Sequence, residues 1–286
     1  MLRLACDDAE IVIAPAIGGG IAALRFAGID ALRPASAQAL AMGDPLGLGE
    51  FPMAPFVNRL AGNGFSWQGQ AIKLAPAQPG GHEALHGSAW HQPWQIVEAG
   101  PDWALLETQI TPGPAWPFAC TIQRRVQLTA RALRLVMTIR AEGAQPMPAA
   151  LGFHPYFPAA GALIRAHTQS AWVADARGIP ASHQEIAACA LLRGAGGPSA
   201  LALDHCFTGW DGLARLTWPS HELTLRATPN PGFLQIYTPQ GADYFCIEPQ
   251  TAMPDAFNRP ANQSGARSLA QGEELDLTLE IAFSAR

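Results

Sequence analysis

Residues 82 to 86, His82-Glu83-Ala84-Leu85-His86, set two imidazoles four positions apart with a carboxylate beside the first. On a helix that spacing converges both rings on one zinc ion and leaves the glutamate to hold an attacking water. Helix is therefore a condition of the chemistry. Pro79-Gly80-Gly81 precede the string and Gly87-Ser88 follow it, so the helix available is about five residues, too short to stand without strong packing. On a strand, His82 and His86 share a face but lie about 13 Å apart, beyond the span of one tetrahedral ion with bonds of about 2 Å. No metal site is expected here, and His82 is expected in a loop. His86 is followed by Gly87 and stands close to Trp90 and Trp94. That setting suits a sugar pocket, where a ring stacks on a C–H face and polar groups meet the hydroxyls. For this stretch alone, an ordinary tryptophan-rich core is the favoured reading over a sugar pocket.

Three further islands place strong polar groups among apolar and proline residues: 51–60 with Asn58 and Arg59, 151–157 with His154, and 245–251 with Glu248. Each sets such a group in a stretch that reads as buried, and a buried charge is costly unless paired or used. One shared pocket accounts for all three.

The elements that must position these residues read as strands. Alternation of period two runs through 121–128 and 133–140, joined by a four-residue turn as in an antiparallel hairpin, and recurs at 223–226 and 275–281. Residues 10–13 followed by Gly18-Gly19-Gly20-Ile21-Ala22-Ala23 offer a strand and then the glycine pattern of a dinucleotide fold. That fold needs a long amphipathic helix next, whereas Leu24-Arg25-Phe26-Ala27-Gly28 reads as another short strand. A hairpin with a glycine turn is expected. The Ala-rich segments 35–41 and 185–200 read as mobile loops.

Composition agrees. The 28 glycines and 25 prolines among 286 residues make chain reversals frequent, and charged residues are only 14%. An all-β fold is the inference, with no linker to divide 1–286 into two domains. The net charge of −5 and scattered Lys and Arg give no basic stripe, so nucleic acid is not expected as a partner; a small polar ligand fits better. The five cysteines are far apart and form no Cys-x-x-Cys pair, as buried reduced thiols would. The first residues lack a signal-peptide run and no apolar span approaches about 18 residues. A cytoplasmic protein without membrane association is expected.

Taken in order, Asn58-Arg59, Leu85-His86-Gly87, the 152–157 segment Gly-Phe-His-Pro-Tyr-Phe, the 234–238 segment Leu-Gln-Ile-Tyr-Thr and the 247–251 segment Ile-Glu-Pro-Gln-Thr closely resemble the aldose 1-epimerase (galactose mutarotase) family. The resemblance covers nearly the whole chain and implies a large antiparallel β-sandwich, a free aldose as substrate and no metal or organic cofactor. It carries the roles of base onto Glu248 and acid onto His154. A carboxyl of ordinary value about 4.3 is ionised at neutral pH, and an imidazole near about 6.5 can donate a proton. The two are expected on opposite sides of the sugar's C1–O5 region. The resemblance further implies that His86, Asn58, Arg59 and Asp204 bind sugar hydroxyls, with Gln235 a looser match. The chain departs from the family where it has Glu83 and Ser88, which bears on hydroxyl recognition. Two other functions fit the same residues: a non-catalytic carbohydrate-binding or sensing protein, and an epimerase of a phosphorylated or otherwise modified sugar. The second would need a cationic cluster, and Arg59 is the only arginine inside a motif island.

Overall fold

The computed structural model describes residues 1–76 and 83–286. Among them the alternating segments build two large antiparallel sheets, one of eleven strands and one of eight. The hairpin read at 121–140 forms with longer arms, Cys120–Thr129 and Ala132–Ala141, so its turn is two residues rather than four. Register pairs Val126 with Leu135 and Leu128 with Leu133, which puts these apolar side chains on one face and Gln127 and Arg134 on the other. The strand expected at 275–281 extends over Glu274–Ala285 and runs between Ala132–Ala141 and His221–Thr228.

The two sheets close on one core, to which Ile11, Leu24 and Phe26 come from the first and Val126, Leu135 and Leu279 from the second. That is a sandwich, as the resemblance implies. Within it Arg124 and Glu50, both fully buried, form an ion pair across the sheets, and Arg124 Nη1 also donates to Gly19 O at 2.8 Å. The glycine run at 18–20 is a hairpin turn: Ala9–Ala14 pairs antiparallel with Gly20–Phe26. Gly18 and Gly19 both have positive φ, and a Cβ on Gly18 would meet Trp90 O at 2.1 Å. These glycines clear space for a neighbouring loop, and the strand Gly20–Phe26 follows them where a dinucleotide fold needs a long helix.

The Ala-rich segments are not loops. Residues Ala37–Met42 form a helix capped by Ser36 Oγ, which accepts from Ala39 N at 3.0 Å, and Gly43 ends it in the left-handed region. Ala187–Gly194 is a second helix and Pro198–Leu201 a third. Alanine is the best helix former, and Ala188, Cys189 and Leu192 give the second helix a buried side, so local propensity and packing agree against the loop reading. None of residues 185–200 lines the cavity described below.

Five strands adjacent in the first sheet carry the chemistry-bearing islands. Glu50–Met53, Gly152–Pro158, Tyr244–Gln250, Phe233–Tyr237 and Asp204–Thr208 follow one another in hydrogen-bonded order. Residues far apart in sequence become a row across one sheet.

Candidate active site

Register places that row. Gly152 pairs with Gln250 and Tyr156 with Cys246, so His154 and Glu248 stand opposite each other between them. Glu248 pairs in turn with Gln235, and Gln235 with Cys206. His154 Nε2 lies 3.3 Å from Glu248 Oε1. Gln235 Nε2 donates to Asp204 Oδ1 at 2.6 Å. Because residues two apart on a strand share a face, Tyr156, Tyr237 and Tyr244 flank the row, and these are all the tyrosines of the chain.

Asn58, Arg59 and His86 reach the same place from two crossing loops. Arg59 pairs with Leu85 and Leu60 with Ala84. Just beyond, His86 N donates to Asn58 O at 2.9 Å, while Asn58 N donates to His86 Nδ1 at 3.2 Å. Asn58 and His86 both hold positive φ, and Asn58 Oδ1 accepts from Arg59 N at 2.8 Å, which stabilises this conformation locally. Gly87 follows at φ +72°, and a Cβ there would meet Ala54 O at 2.0 Å, so only glycine lets the two loops touch. The Arg59 backbone is pinned from below by Asp255, whose N–H donates to Arg59 O at 2.7 Å and whose Oδ1 accepts from Ala61 N at 3.0 Å. The Arg59 guanidinium runs directly beneath the turn at 175–179: a Cβ on Gly178 would meet its Nη1 at 2.6 Å.

These groups surround a cavity of about 290 Å³, lined by all seven residues the sequence singled out. A larger hollow of about 490 Å³ lies on the second sheet, among Glu107, Gln123, Arg140 and Glu274, but no buried side chain and no aromatic ring lines it. Chemistry, not size, distinguishes the smaller one.

Electrostatics follow from burial. Desolvation, then repulsion from His154, holds His86 well below its ordinary value, so it is neutral. Its Nδ1 accepts from Asn58 N, which leaves Nε2–H as the donor. Burial also lowers His154, to about 3, and raises Glu248 well above the carboxylate range, with Asp204 adding to the rise and Arg59 opposing it. Neither group carries an isolated charge cheaply, so burial alone leaves the pair's one proton on the Glu248 carboxyl and the His154 imidazole neutral. Glu248 Oε2 and Gln235 Oε1 are buried without a hydrogen-bond partner among the described residues. The His154 ring packs against Phe51 at 4.4 Å and Tyr156 at 4.7 Å between centroids. The Arg33 guanidinium covers Tyr156 at 4.0 Å and donates to the carbonyls of Leu46 and Leu48.

The expected opposition of acid and base across C1–O5 is not what the sheet provides. His154 and Glu248 stand side by side on neighbouring strands. Since O1 and O5 of a cyclic aldose are bonded to the same carbon, adjacent groups can address both oxygens from one edge of the ring. The zinc string, in contrast, comes apart. Ala84–Leu85 is a two-residue strand, not a helix, and Glu83 is used structurally, accepting from Asn63 N at 3.4 Å and lying 3.8 Å from Arg177 Nη1. His82 lies outside the described residues. Sequence reading missed Arg33, Gly178, Asp255 and the three tyrosines. The tyrosines carried a signal, because each lies an even number of residues from His154, Gln235 or Glu248 on the same strand; the others reach the site only through the fold.

The sandwich with this row across its first sheet is similar in fold to known proteins. The family model for aldose 1-epimerases matches residues 6–282, and the chain belongs to that family. It is 29% identical over 245 residues to the uncharacterised Escherichia coli (strain K12) protein YphB, covering 80% of this chain and 83% of that one. Among solved structures it is similar to an Escherichia coli K12 protein provisionally assigned as an aldose 1-epimerase, with TM-score 0.90, 25% identity and coverage of 99% and 98%. The galactose 1-epimerase of Lactobacillus acidophilus NCFM shares the fold, with TM-score 0.81, 15% identity and coverage of 99% and 93%. Among the described residues no helix is long and apolar enough to cross a membrane.

Proposed function

We propose that this protein is a mutarotase that interconverts the α and β anomers of a free aldose by acid–base ring opening, with residues 1–286 acting as one domain and without a cofactor. The contact between His154 Nε2 and Glu248 Oε1, at 3.3 Å on the floor of the cavity, carries the reading. In the working form the shared proton sits on His154. Glu248 accepts the C1 hydroxyl proton while His154 donates to O5, the C1–O5 bond opens, and the aldehyde rotates about C1–C2. Both transfers then reverse on the other face of the carbonyl, and each group ends as it began. Sugar hydroxyls that donate to Glu248 Oε2 favour the carboxylate form, which burial alone opposes.

The remaining groups hold the ring. His86 offers Nε2–H to a hydroxyl oxygen, Asn58 its amide N–H, and Arg59 several fixed donors for vicinal hydroxyls. Asp204 accepts hydrogen bonds from sugar hydroxyls beside the Gln235 amide that orients it. Tyr237 and Tyr244 present ring surface to a sugar C–H face. Asp204 shares the cavity with Arg59, so the pocket is not a cationic cluster, and this favours a neutral sugar over a phosphorylated one.

The test is the relaxation of optical rotation of fresh α-glucose, α-galactose and related aldoses. Pure protein should accelerate it for at least one, and Glu248→Gln should lower kcat/KM by about 10²–10⁴-fold at near-unchanged thermal midpoint. Saturable sugar binding without acceleration would instead mark a carbohydrate sensor.

A further inference from the structure

The fold that dismantles the zinc string at 82–86 assembles a different ligand set, in which His154 and Glu248 line the cavity and Cys246 is fully buried beside them. His154, Cys246 and Glu248 are all buried, and one potential ligand atom from each lies within 4.8 Å of the other two. Register explains the cluster: Cys246 and Glu248 are one pleat apart on Tyr244–Gln250, and His154 faces them from Gly152–Pro158. Cys246 is a free thiol with no place in the proton transfers. Glu248 Oε2 and His154 Nδ1 have no hydrogen-bond partner among the described residues. One thiolate, one imidazole and one carboxylate are a borderline-soft donor set, suited to Zn²⁺ and poor for Mg²⁺ or Ca²⁺. Three protein ligands below an open cavity leave the fourth position to water. A tetrahedral zinc with bonds of about 2.0–2.3 Å holds its ligands roughly 3.3–3.8 Å apart, so no gap need close by more than about 1.5 Å. Rotation of the Cys246 side chain between staggered positions moves its sulfur farther than that.

We propose that His154, Cys246 and Glu248 form an inhibitory site for a thiophilic divalent cation, Zn²⁺ above all, which excludes the sugar from the pocket. Binding forms metal bonds to the Cys246 sulfur, a His154 ring nitrogen and a Glu248 oxygen. It releases two protons, the one on the thiol and the one that His154 and Glu248 share. The metal thereby takes the lone pair and the proton that ring opening needs. The inhibition rests on the mutarotase reading, but the metal site does not.

The test runs on the full chain with two readouts. In mutarotation, ZnCl₂ should raise the apparent KM for the sugar without lowering the rate at saturation, EDTA should reverse the effect, and MgCl₂ and CaCl₂ should be inert. Cys246→Ser should keep the metal-free rate and raise the half-inhibitory Zn²⁺ concentration by at least about tenfold, since losing even an outer-shell partner costs that much. In absorption, Co²⁺ should give a thiolate-to-cobalt charge-transfer band with wild type that Cys246→Ser lacks and that saturating sugar abolishes. Equal Zn²⁺ sensitivity of wild type and Cys246→Ser would overturn the proposal, as would active protein that Zn²⁺ leaves untouched and Co²⁺ leaves colourless. A cobalt band dependent on Cys246 in a protein that accelerates no sugar keeps the metal site and removes the mutarotase. Should Cys246→Ser not fold, Cys246→Ala takes its place. A wild-type band that persists at a sugar concentration saturating turnover counts against the shared site.

Discussion

Asp204 owes its usefulness to a neighbour. Gln235 donates to one carboxylate oxygen at 2.6 Å, fixing the side chain while leaving the group able to accept further hydrogen bonds. Asp204→Asn replaces an acceptor by a donor at that contact, so steady-state kinetics should show KM rising about tenfold or more and kcat falling less, as for an interaction made equally in ground and transition states. At this scale most of the candidate site was legible. All seven residues marked in the sequence line one cavity: polar groups in apolar islands marked Asn58, Arg59, His154 and Glu248, and the family resemblance added His86, Asp204 and Gln235. The tyrosines show what a stricter use of strand periodicity adds: Tyr156, Tyr237 and Tyr244 stand two, two and four residues from His154, Gln235 and Glu248, so each shares a face with its partner. Arg33 had no such signal. Its place over Tyr156 depends on the Leu46 and Leu48 carbonyls, a meeting that only tertiary structure creates.

Among the elements, turns decide where the binding side chains point. Gly178 holds φ +77° and leaves Arg59 room to run beneath it. Gly178→Ala strains the turn and displaces the guanidinium, so the sugar's KM should rise several-fold while kcat changes little, with a thermal midpoint lowered by the equivalent of about 1 kcal/mol. A kcat loss with unchanged KM would contradict Arg59 as a binding residue. Some strands with one face buried and the other wet were readable, as in the 120–141 hairpin, while Trp103–Ile110, whose burial also alternates, was not. The Ala-rich helices were not, because alanine carries almost no periodic contrast and Ser36 and Gly43 show themselves as caps only once the helix exists. The glycines flanking 82–86 were a sound guide in excluding helix, and the strand Ala84–Leu85 bears that out.

Across the whole molecule, the sandwich is joined at its centre by a charge pair no sequence pattern disclosed. Glu50 and Arg124 lie on different sheets with no exposure, and burial pushes the Glu50 carboxyl up against the pull of Arg124. Glu50→Gln leaves a buried guanidinium unpaired and should cost about 3–5 kcal/mol in chemical denaturation, whereas Glu50→Leu with Arg124→Met should recover most of it. Stability should also depend on pH through His86. Its folded value lies well below the ordinary one of about 6.5, so below that pH the unfolded chain binds a proton that the folded chain refuses. The contribution is complete above about pH 6.5 and is lost as pH falls. Thermal midpoints should therefore drop more steeply from pH 6.5 to 5 in wild type than in His86→Gln. Glu248, raised by burial, favours folding toward lower pH, and the comparison cancels it.

The strand Glu274–Ala285, set between Ala132–Ala141 and His221–Thr228, has a meaning in time as well as in space. Translation delivers both of its neighbours before it, so the growing chain holds the second sheet as two separate pieces, each with an open edge of ten or eight residues. Long unpaired edges are where chains stick to one another. For this protein the interval between the synthesis of His221–Thr228 and the arrival of Glu274–Ala285 is the vulnerable one, and it includes the moment when the strand bearing Glu248 leaves the ribosome.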